Sequence, residues 1–171
     1  MGNKVVTTIA RVARDAGLPA VAFNFRGVGR SEGVWDHGEG ELIDAFHVAS
    51  LMVRHGVLKL CLAGFSFGGS IAARLIQKIR KEGLDVEIID LIQVAPAVEN
   101  FPIEHSALGN VPRTVIYNED DEVVDPQAIR AYAIGVHAEL IQATTGGHFF
   151  HGELTRLKEV ISSHYRRRGI L

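Results

Sequence analysis

A serine placed between two glycines is the first pattern in this sequence that could support chemistry. Ser66 stands in the segment AGFSFGG, residues 63–69, with Gly64 and Gly68 two positions away on either side. The pattern G-x-S-x-G is typical of a sharp turn from a strand into a helix, which exposes the serine hydroxyl as a nucleophile. Glycine suits positions 64 and 68 because side chains there would collide as the strand and the helix approach each other. The same small residues would also suit a helix that merely packs close to a strand.

Residues suited to acid–base catalysis follow in the second half of the chain. A serine hydroxyl becomes a good nucleophile when an imidazole removes its proton and a carboxylate orients that imidazole. Carboxylates are clustered in NEDDEVVDP, residues 118–126, and two histidines stand in TTGGHFFHG, residues 144–152. The candidate acids are Glu119, Asp120, Asp121 and Asp125, and the candidate bases are His148 and His151. The alternative interpretations are a solvated acidic turn and, for His151, a capping position where the last helix begins.

The predicted secondary structure places these segments at one edge of a sheet. Short apolar runs predict strands over 19–25, 59–64, 88–94, 114–117 and 139–143. Apolar residues at helical spacing predict helices over 3–16, 42–53 and 71–79, a fourth from about 126 and a last one from about 151. Strands that alternate with helices predict an α/β fold with a doubly wound, mainly parallel sheet and helices on both faces. Ser66 and the two later segments each follow a strand, at the edge where such sheets bind ligands.

Three segments taken together resemble the α/β-hydrolase superfamily, in particular its small capless bacterial serine hydrolases. They are NFRGVGRSEG, residues 24–33, GFSFGG, residues 64–69, and GGHFFHG, residues 146–152, and the resemblance runs over essentially the whole chain. It implies a single α/β-hydrolase-like domain over residues 1–171 with no cap domain. The activity that it implies is hydrolysis of a small ester or thioester.

The same resemblance implies the site residues. It identifies Ser66, Asp121 and His148 as a catalytic triad, with an acyl-enzyme formed on Ser66. The backbone N–H of Phe67, the residue after the nucleophile, is implied as an oxyanion donor. Phe67, Trp35 and Phe149 could line an acyl pocket, although ordinary packing is the expected role of each aromatic ring.

The chain begins with a predicted helix, whereas the resemblance implies that further strands precede it. One of these would lie between the strands that end near Asn24 and Gly64, and the loop after it would carry a second oxyanion donor. We hypothesise an N-terminally shortened form, in which Met1 reflects a late start codon or a trimmed chain. The alternative function is therefore a non-catalytic or catalytically weak hydrolase scaffold with an incomplete oxyanion hole.

The glycine-rich segment 24–33 also invites a nucleotide-binding interpretation. That fingerprint requires a helix that opens inside the motif, and VWDHGEG, residues 34–40, interrupts any helix here. A nucleotide-binding Rossmann-type protein is the less favoured alternative. We expect instead that the loop borders the active site, and that Arg26 and Ser31 hold its shape through hydrogen bonds to backbone carbonyls.

Charge and histidine spacing exclude several classes of partner. The chain of 171 residues has 18 Lys and Arg against 20 Asp and Glu, so we expect no nucleic-acid and no membrane partner. The expected partner is a small-molecule acyl substrate, and a homodimer is left open. No histidine pair shows the spacing H-E-x-x-H, so we expect no metal and no cofactor. The histidines interpreted as surface or loop residues are His37, His47, His55, His105, His137 and His164.

A single cysteine, Cys61, excludes an internal disulfide and fits a reducing compartment. It stands in the apolar run LKLCLAG, which predicts a buried and unreactive thiol. Neither a signal peptide nor a membrane-spanning apolar run is evident in the sequence. We therefore expect a cytoplasmic protein.

Overall fold

Four strands and five helices form the fold of the residues that the structure describes. The computed structural model describes residues 2–143 and 145–171; Met1, the subject of the start-site hypothesis, and Thr144, the first residue of the histidine-bearing segment, lie outside the described residues. The strands are β1 (Lys59–Phe65), β2 (Glu87–Val94), β3 (Arg113–Asn118) and β4 (Glu139–Ala143). The helices are α1 (Lys4–Asp15), α2 (Glu39–Arg54), α3 (Phe67–Lys81), α4 (Pro126–Gly135) and α5 (Leu154–Arg167), with a short 3₁₀ turn at His105–Leu108.

The strands form one parallel sheet whose spatial order, β1-β2-β3-β4, follows the chain. Neighbouring residues of β2 point to opposite faces, as the period of a strand requires. Leu91 packs with α3 and α4, whereas Ile92 packs with α1 and α5, and both side chains are fully buried. Burial on both faces explains why the central strands β2 and β3 are mainly apolar in sequence. The predicted parallel α/β sheet with helices on both faces is confirmed.

The helix boundaries follow local signals in the sequence. Asn3 caps α1 because its side-chain oxygen accepts hydrogen bonds from the N–H groups of Val5 (2.9 Å) and Val6 (3.2 Å). Asp125 does the same for α4, where it accepts from the N–H of Gln127 at 2.9 Å. These caps satisfy N–H groups that the helices themselves cannot satisfy.

The strand predicted over 19–25 is not present, and this prediction is wrong. The segment is extended without strand hydrogen bonding, and residues 19–22 are exposed. In the described part of the chain, β1 is an edge strand that pairs with β2 alone, so segment 19–25 has no strand beside it. An extended segment becomes a strand only when a neighbour satisfies its backbone groups. Phe23 and Phe25 nevertheless pack against the core between α2, α3 and β1.

His164 is buried, which corrects its interpretation as a surface histidine. It lies on α5 with 2% of its surface exposed, and its Nε2 is 2.8 Å from Oδ2 of the buried Asp90 on β2. Its Nδ1 is 3.3 Å from the hydroxyl of Thr114 on β3. The helical spacing with Leu157 and Ile161, both buried, is a sequence signal for this burial. The other five histidines of that group are exposed: His37, His47, His55, His105 and His137.

Cys61 offers a direct test of the packing around β1. Burial, with a smaller contribution from the charge of Asp90, raises the pKa of its thiol to about 11. At pH 8 only about one thiol in a thousand is then ionised, against about a quarter for a cysteine with the ordinary pKa of ~8.5. We expect iodoacetamide to alkylate the native protein at pH 8 at least about 100-fold more slowly than the urea-unfolded protein. The thiol is half-buried rather than fully buried as predicted. A mass-spectrometric time course measures both rates, and equal rates would contradict the raised pKa.

Among residues 2–143 and 145–171, no helix combines the length and the apolar character that crossing a bilayer requires. Within the same two ranges, no three or more His, Cys, Asp or Glu side chains are grouped so as to hold a metal ion.

Candidate active site

Ser66 occupies a strained turn between β1 and α3. Its backbone angles, φ 52° and ψ −122°, lie in a region that residues other than glycine rarely adopt. Strand β2 and the loop that follows it hold this conformation: the Ser66 N–H donates to the carbonyl of Val94 at 2.8 Å, and the Ser66 carbonyl accepts from the N–H of Ala97 at 3.2 Å. Strain of this kind costs on the order of 1–3 kcal/mol and persists only where surrounding contacts impose it. The result is a half-buried serine at the carboxyl edge of the sheet.

The two glycines around Ser66 have different roles, which corrects the prediction that side chains at both would collide. A Cβ at Gly64 would lie 2.2 Å from the carbonyl oxygen of Gly68, so any side chain there would separate β1 from α3. A Cβ at Gly68 would meet nothing within 4 Å among the described residues. The close approach is therefore between the α-carbon of Gly64 and the backbone of Gly68.

We expect Gly64→Ala to destabilise the fold strongly and Gly68→Ala to leave it intact. The alanine methyl at 64 meets backbone rather than a flexible side chain, so relief requires a shift of α3, at a cost of about 3 kcal/mol or more. The methyl at 68 enters open space in the first turn of a helix, where alanine is at least as favourable as glycine. Urea unfolding of both variants measures the difference. Equal unfolding midpoints would refute this assignment of the close contact.

The side chains of Ser66, His148 and Asp121 form a continuous hydrogen-bonded series. The Ser66 Oγ is 3.0 Å from Nε2 of His148, and Nδ1 of His148 is 2.9 Å from Oδ2 of Asp121. The imidazole side chain is 3% exposed and the carboxylate side chain is fully buried. Because an ionised carboxylate only accepts hydrogen bonds, Nδ1 carries the proton and Nε2 is left to accept the serine O–H. This arrangement can transfer the serine proton to the imidazole.

The structure distinguishes among the four candidate acids. Asp121 contacts the His148 ring, and its Oδ1 also accepts from the N–H groups of Val123 and Val124, each at 2.9 Å. Asp125 caps α4 instead.

The two remaining candidate acids bind other groups. The Glu119 carboxylate accepts from the hydroxyl of Tyr117 at 2.7 Å and pairs with Arg130. The Asp120 carboxylate accepts from the N–H groups of Gly146 and Gly147. The interpretation of this cluster as a merely solvated turn is therefore wrong.

His151 does not begin the last helix. Helix α5 starts at Leu154 with Glu153 at its cap position, so the predicted capping role of His151 is wrong. The N–H of His151 donates to the carbonyl of Gly146 at 2.8 Å, which closes a tight turn after the glycine pair. Gly152, with φ 77°, then interrupts any helix that might extend back to His151.

The glycine-rich loop is held by a carboxylate that the sequence reasoning missed. Ser31 donates to the carbonyl of Asn24 at 3.1 Å, as predicted, whereas Arg26 makes no hydrogen bond to a carbonyl of the described residues. Its guanidinium binds both oxygens of Asp44 on α2, at 2.8 and 3.1 Å, because an arginine fork matches a carboxylate. These hydrogen bonds hold the pKa of Asp44 below its usual value although burial opposes the shift. Helix α2 begins only at Glu39, beyond the three glycines, which is unlike a dinucleotide-binding turn.

Aromatic rings pack around the residues that follow Ser66 and His148 in the chain. Phe67 packs between Trp35 and Phe101 in tilted and edge-on contacts, with ring centroids 4.8 and 4.7 Å away. Phe149 lies 5.1 Å from the His148 ring and 5.8 Å from the Phe65 ring. Trp35 and Phe149 are 49% and 44% exposed. The two rings combine packing with an accessible apolar surface, and Phe101 is an addition that the sequence did not indicate.

Comparison with known proteins finds similar structures that are described as α/β serine hydrolases. The chain is 35% identical to an α/β serine hydrolase homologue from Coxiella burnetii, over 96% of this chain and 77% of that one, with a TM-score of 0.79. It is 33% identical to an α/β serine hydrolase without a lid from Xanthomonas campestris, over 98% and 74% of the two chains, also with a TM-score of 0.79. An uncharacterized protein from Rickettsia prowazekii is 27% identical over 135 residues, and the chain spans about half (54%) of its length. No protein-family model matches the chain.

Proposed function

Because the chain belongs to the α/β serine hydrolase family, we propose that it hydrolyses small carboxylic esters or thioesters through an acyl-enzyme on Ser66. The observation that carries this proposal is the buried hydrogen-bonded series from Ser66 through His148 to Asp121. Each distance in it lies within the range that proton transfer between catalytic groups requires.

The first half-reaction forms the acyl-enzyme. Nε2 of His148 takes the hydroxyl proton while Oγ of Ser66 attacks the carbonyl carbon of the substrate. The negative charge that develops on the carbonyl oxygen is stabilised by the N–H of Phe67, which has no acceptor within α3 because it begins that helix. The imidazolium then gives its proton to the leaving alkoxide or thiolate as the tetrahedral intermediate collapses. Asp121 stays ionised throughout and stabilises the imidazolium.

The second half-reaction releases the acid. A water molecule gives a proton to Nε2 of His148 and attacks the acyl carbon, and the tetrahedral intermediate expels the Ser66 oxygen, which takes the proton back. The dipole of α3, whose amino terminus lies at Ser66, favours the negative charge of both intermediates. No group outside these residues is needed for the proton balance.

The surroundings of Ser66 favour small substrates with apolar groups. Trp35 packs on Phe67 and Phe149 packs on His148, and both rings present exposed apolar surface. The exposed carboxylates of Asp120 and Glu122 bond to the backbone beside His148, and they disfavour a polyanionic leaving group by charge repulsion. We therefore propose that p-nitrophenyl acetate and butyrate are better substrates than the corresponding acyl-CoA thioesters.

Labelling with a fluorophosphonate probe tests the proposal. The expected result is covalent modification of one site, which peptide mass spectrometry assigns to Ser66, together with hydrolysis of short p-nitrophenyl esters. Absence of both reactions in the folded protein would refute the enzyme and favour a non-catalytic hydrolase scaffold. Thermal stabilisation by NAD that is indifferent to Ser66→Ala would instead favour a nucleotide-binding function.

A further inference from the structure

The backbone N–H groups of Gly146, Gly147 and His148 all donate hydrogen bonds to carboxylates of one loop. We define the acidic loop as residues 118–122 and the histidine loop as residues 146–148. The N–H groups of Gly146 and Gly147 donate to the two oxygens of Asp120, at 3.0 and 3.1 Å. The N–H of His148 donates to Oε2 of Glu122 at 3.1 Å. The acidic loop therefore holds every residue of the histidine loop by its backbone.

The glycine pair makes this arrangement possible. Gly146 and Gly147 have φ values of 111° and 59°, which turn successive N–H groups toward one side and form a concave site for anions. A Cβ at Gly147 would lie 2.5 Å from Oε2 of Glu122, so the carboxylate occupies the space that any side chain would need. The anion bound in this backbone site is thus part of the protein itself.

The opposite side of Gly147 is held as well. The side-chain amide of Asn118, a buried residue at the end of β3, donates to the Gly147 carbonyl at 2.8 Å. Between Asp120 and Glu122, the side chain of Asp121 binds the imidazole ring of His148. The same short loop therefore fixes both the ring and the backbone of the residue that faces Ser66.

The arrangement of charges argues against a fortuitous contact. Asp120, Asp121 and Glu122 are consecutive carboxylates directed at one segment, and their mutual repulsion is offset there by N–H donors and the imidazole. Glu119 provides the contrast within the same loop, because its carboxylate turns to Tyr117 and Arg130 and makes no described bond to the histidine loop. Charge-assisted hydrogen bonds to backbone N–H groups are stronger than neutral ones.

We propose that Asp120 and Glu122 are positioning residues that hold the histidine loop so that Nε2 of His148 stays at 3.0 Å from the Ser66 hydroxyl. This inference rests on the proposed function. A base on an irregular segment with two glycines has many alternative conformations, and a displacement of about 1 Å can cost up to ~10²-fold in rate. Neither carboxylate touches the reacting atoms, so the effect falls on kcat and leaves KM nearly unchanged.

Alanine and amide variants test the proposal on the full chain with p-nitrophenyl butyrate. We expect Asp120→Ala and Glu122→Ala each to lower kcat about 10-fold, and the double variant up to about 100-fold, with KM within about twofold of the parent. Glu122→Gln keeps an oxygen acceptor for the His148 N–H and should recover most of what Glu122→Ala loses. Glu119→Ala is the matched control and should retain the parent kcat. A kcat within twofold of the parent in the double variant would overturn the proposal.

Amide hydrogen exchange supplies a measurement that does not depend on activity. The N–H groups of Gly146, Gly147 and His148 should be protected in the parent protein, and Asp120→Ala and Glu122→Ala should remove that protection at their own partners only. Exchange at the unfolded-chain rate in the parent would overturn the proposal whether or not the protein hydrolyses esters. If protection is present but no ester reacts and Ser66 captures no fluorophosphonate, the proposed function fails, whereas the hydrogen bonds of the histidine loop to Asp120 and Glu122 are supported. Unchanged thermal midpoints confirm that the variants are folded, as expected for exposed carboxylates.

Discussion

Ser66→Ala should lower kcat for p-nitrophenyl butyrate by about 10⁶-fold, to the residual rate that substrate binding and the oxyanion donor alone support. The substitution removes the atom to which the acyl group is transferred in the proposed mechanism, while the methyl group fits where the hydroxyl was. The imidazole of His148 then has no hydroxyl at 3.0 Å from which to take a proton. Initial rates on purified protein, with fluorophosphonate labelling in parallel, measure the loss.

His148→Ala provides the matched comparison for that experiment. In the proposed mechanism the serine and the histidine act as a unit, so removal of either should cost about the same factor and the double variant should cost no more. Additive losses would indicate that the two side chains act independently, contrary to the hydrogen bond between them. Retention of more than about one per cent of the parent kcat in Ser66→Ala would exclude an acyl-enzyme on this residue.

Asp121→Asn should lower kcat by about 10⁴-fold with little change in stability. The Oδ1 atom of Asp121 accepts from two backbone N–H groups, so an asparagine keeps its carbonyl oxygen there and presents its NH₂ in place of Oδ2, 2.9 Å from Nδ1 of His148. An NH₂ group donates, so Nδ1 must become the acceptor and the ring proton moves to Nε2. The imidazole then faces Ser66 with a donor and cannot accept the serine proton.

Asp125→Asn is the control for the loss of one negative charge from the same part of the chain. Its side chain caps α4 and does not contact His148, so kcat should equal that of the parent. Asparagine is about as good a helix cap as aspartate, so stability should also be preserved. Equal activity of Asp121→Asn and the parent would show that Asp121 does not set the tautomer of His148.

The fold was largely predictable because its signals are local. Strand Glu139–Ala143 has its predicted bounds, and β1 extends one residue beyond its predicted end. Apolar periodicity and capping residues such as Asn3 act over a few positions, so a single sequence contains them. The failures have non-local causes: segment 19–25 lacks a strand beside it, and the buried His164 contacts Asp90, more than seventy positions away in the chain.

The candidate site also has features that depend on local sequence and others that depend on the fold. The sequence by itself determined the sharp turn at Ser66, the histidine after a glycine pair and an acidic segment that follows a strand, because each depends on residue types at short spacing. Only the tertiary structure showed the contact of Asp121 with the imidazole that the resemblance implied, that Gly64 rather than Gly68 makes the close approach, and that Asp120 and Glu122 bind the histidine loop. The reason is physical: five similar carboxylates lie close together along the chain, and they acquire different roles only when folding brings different donors to them.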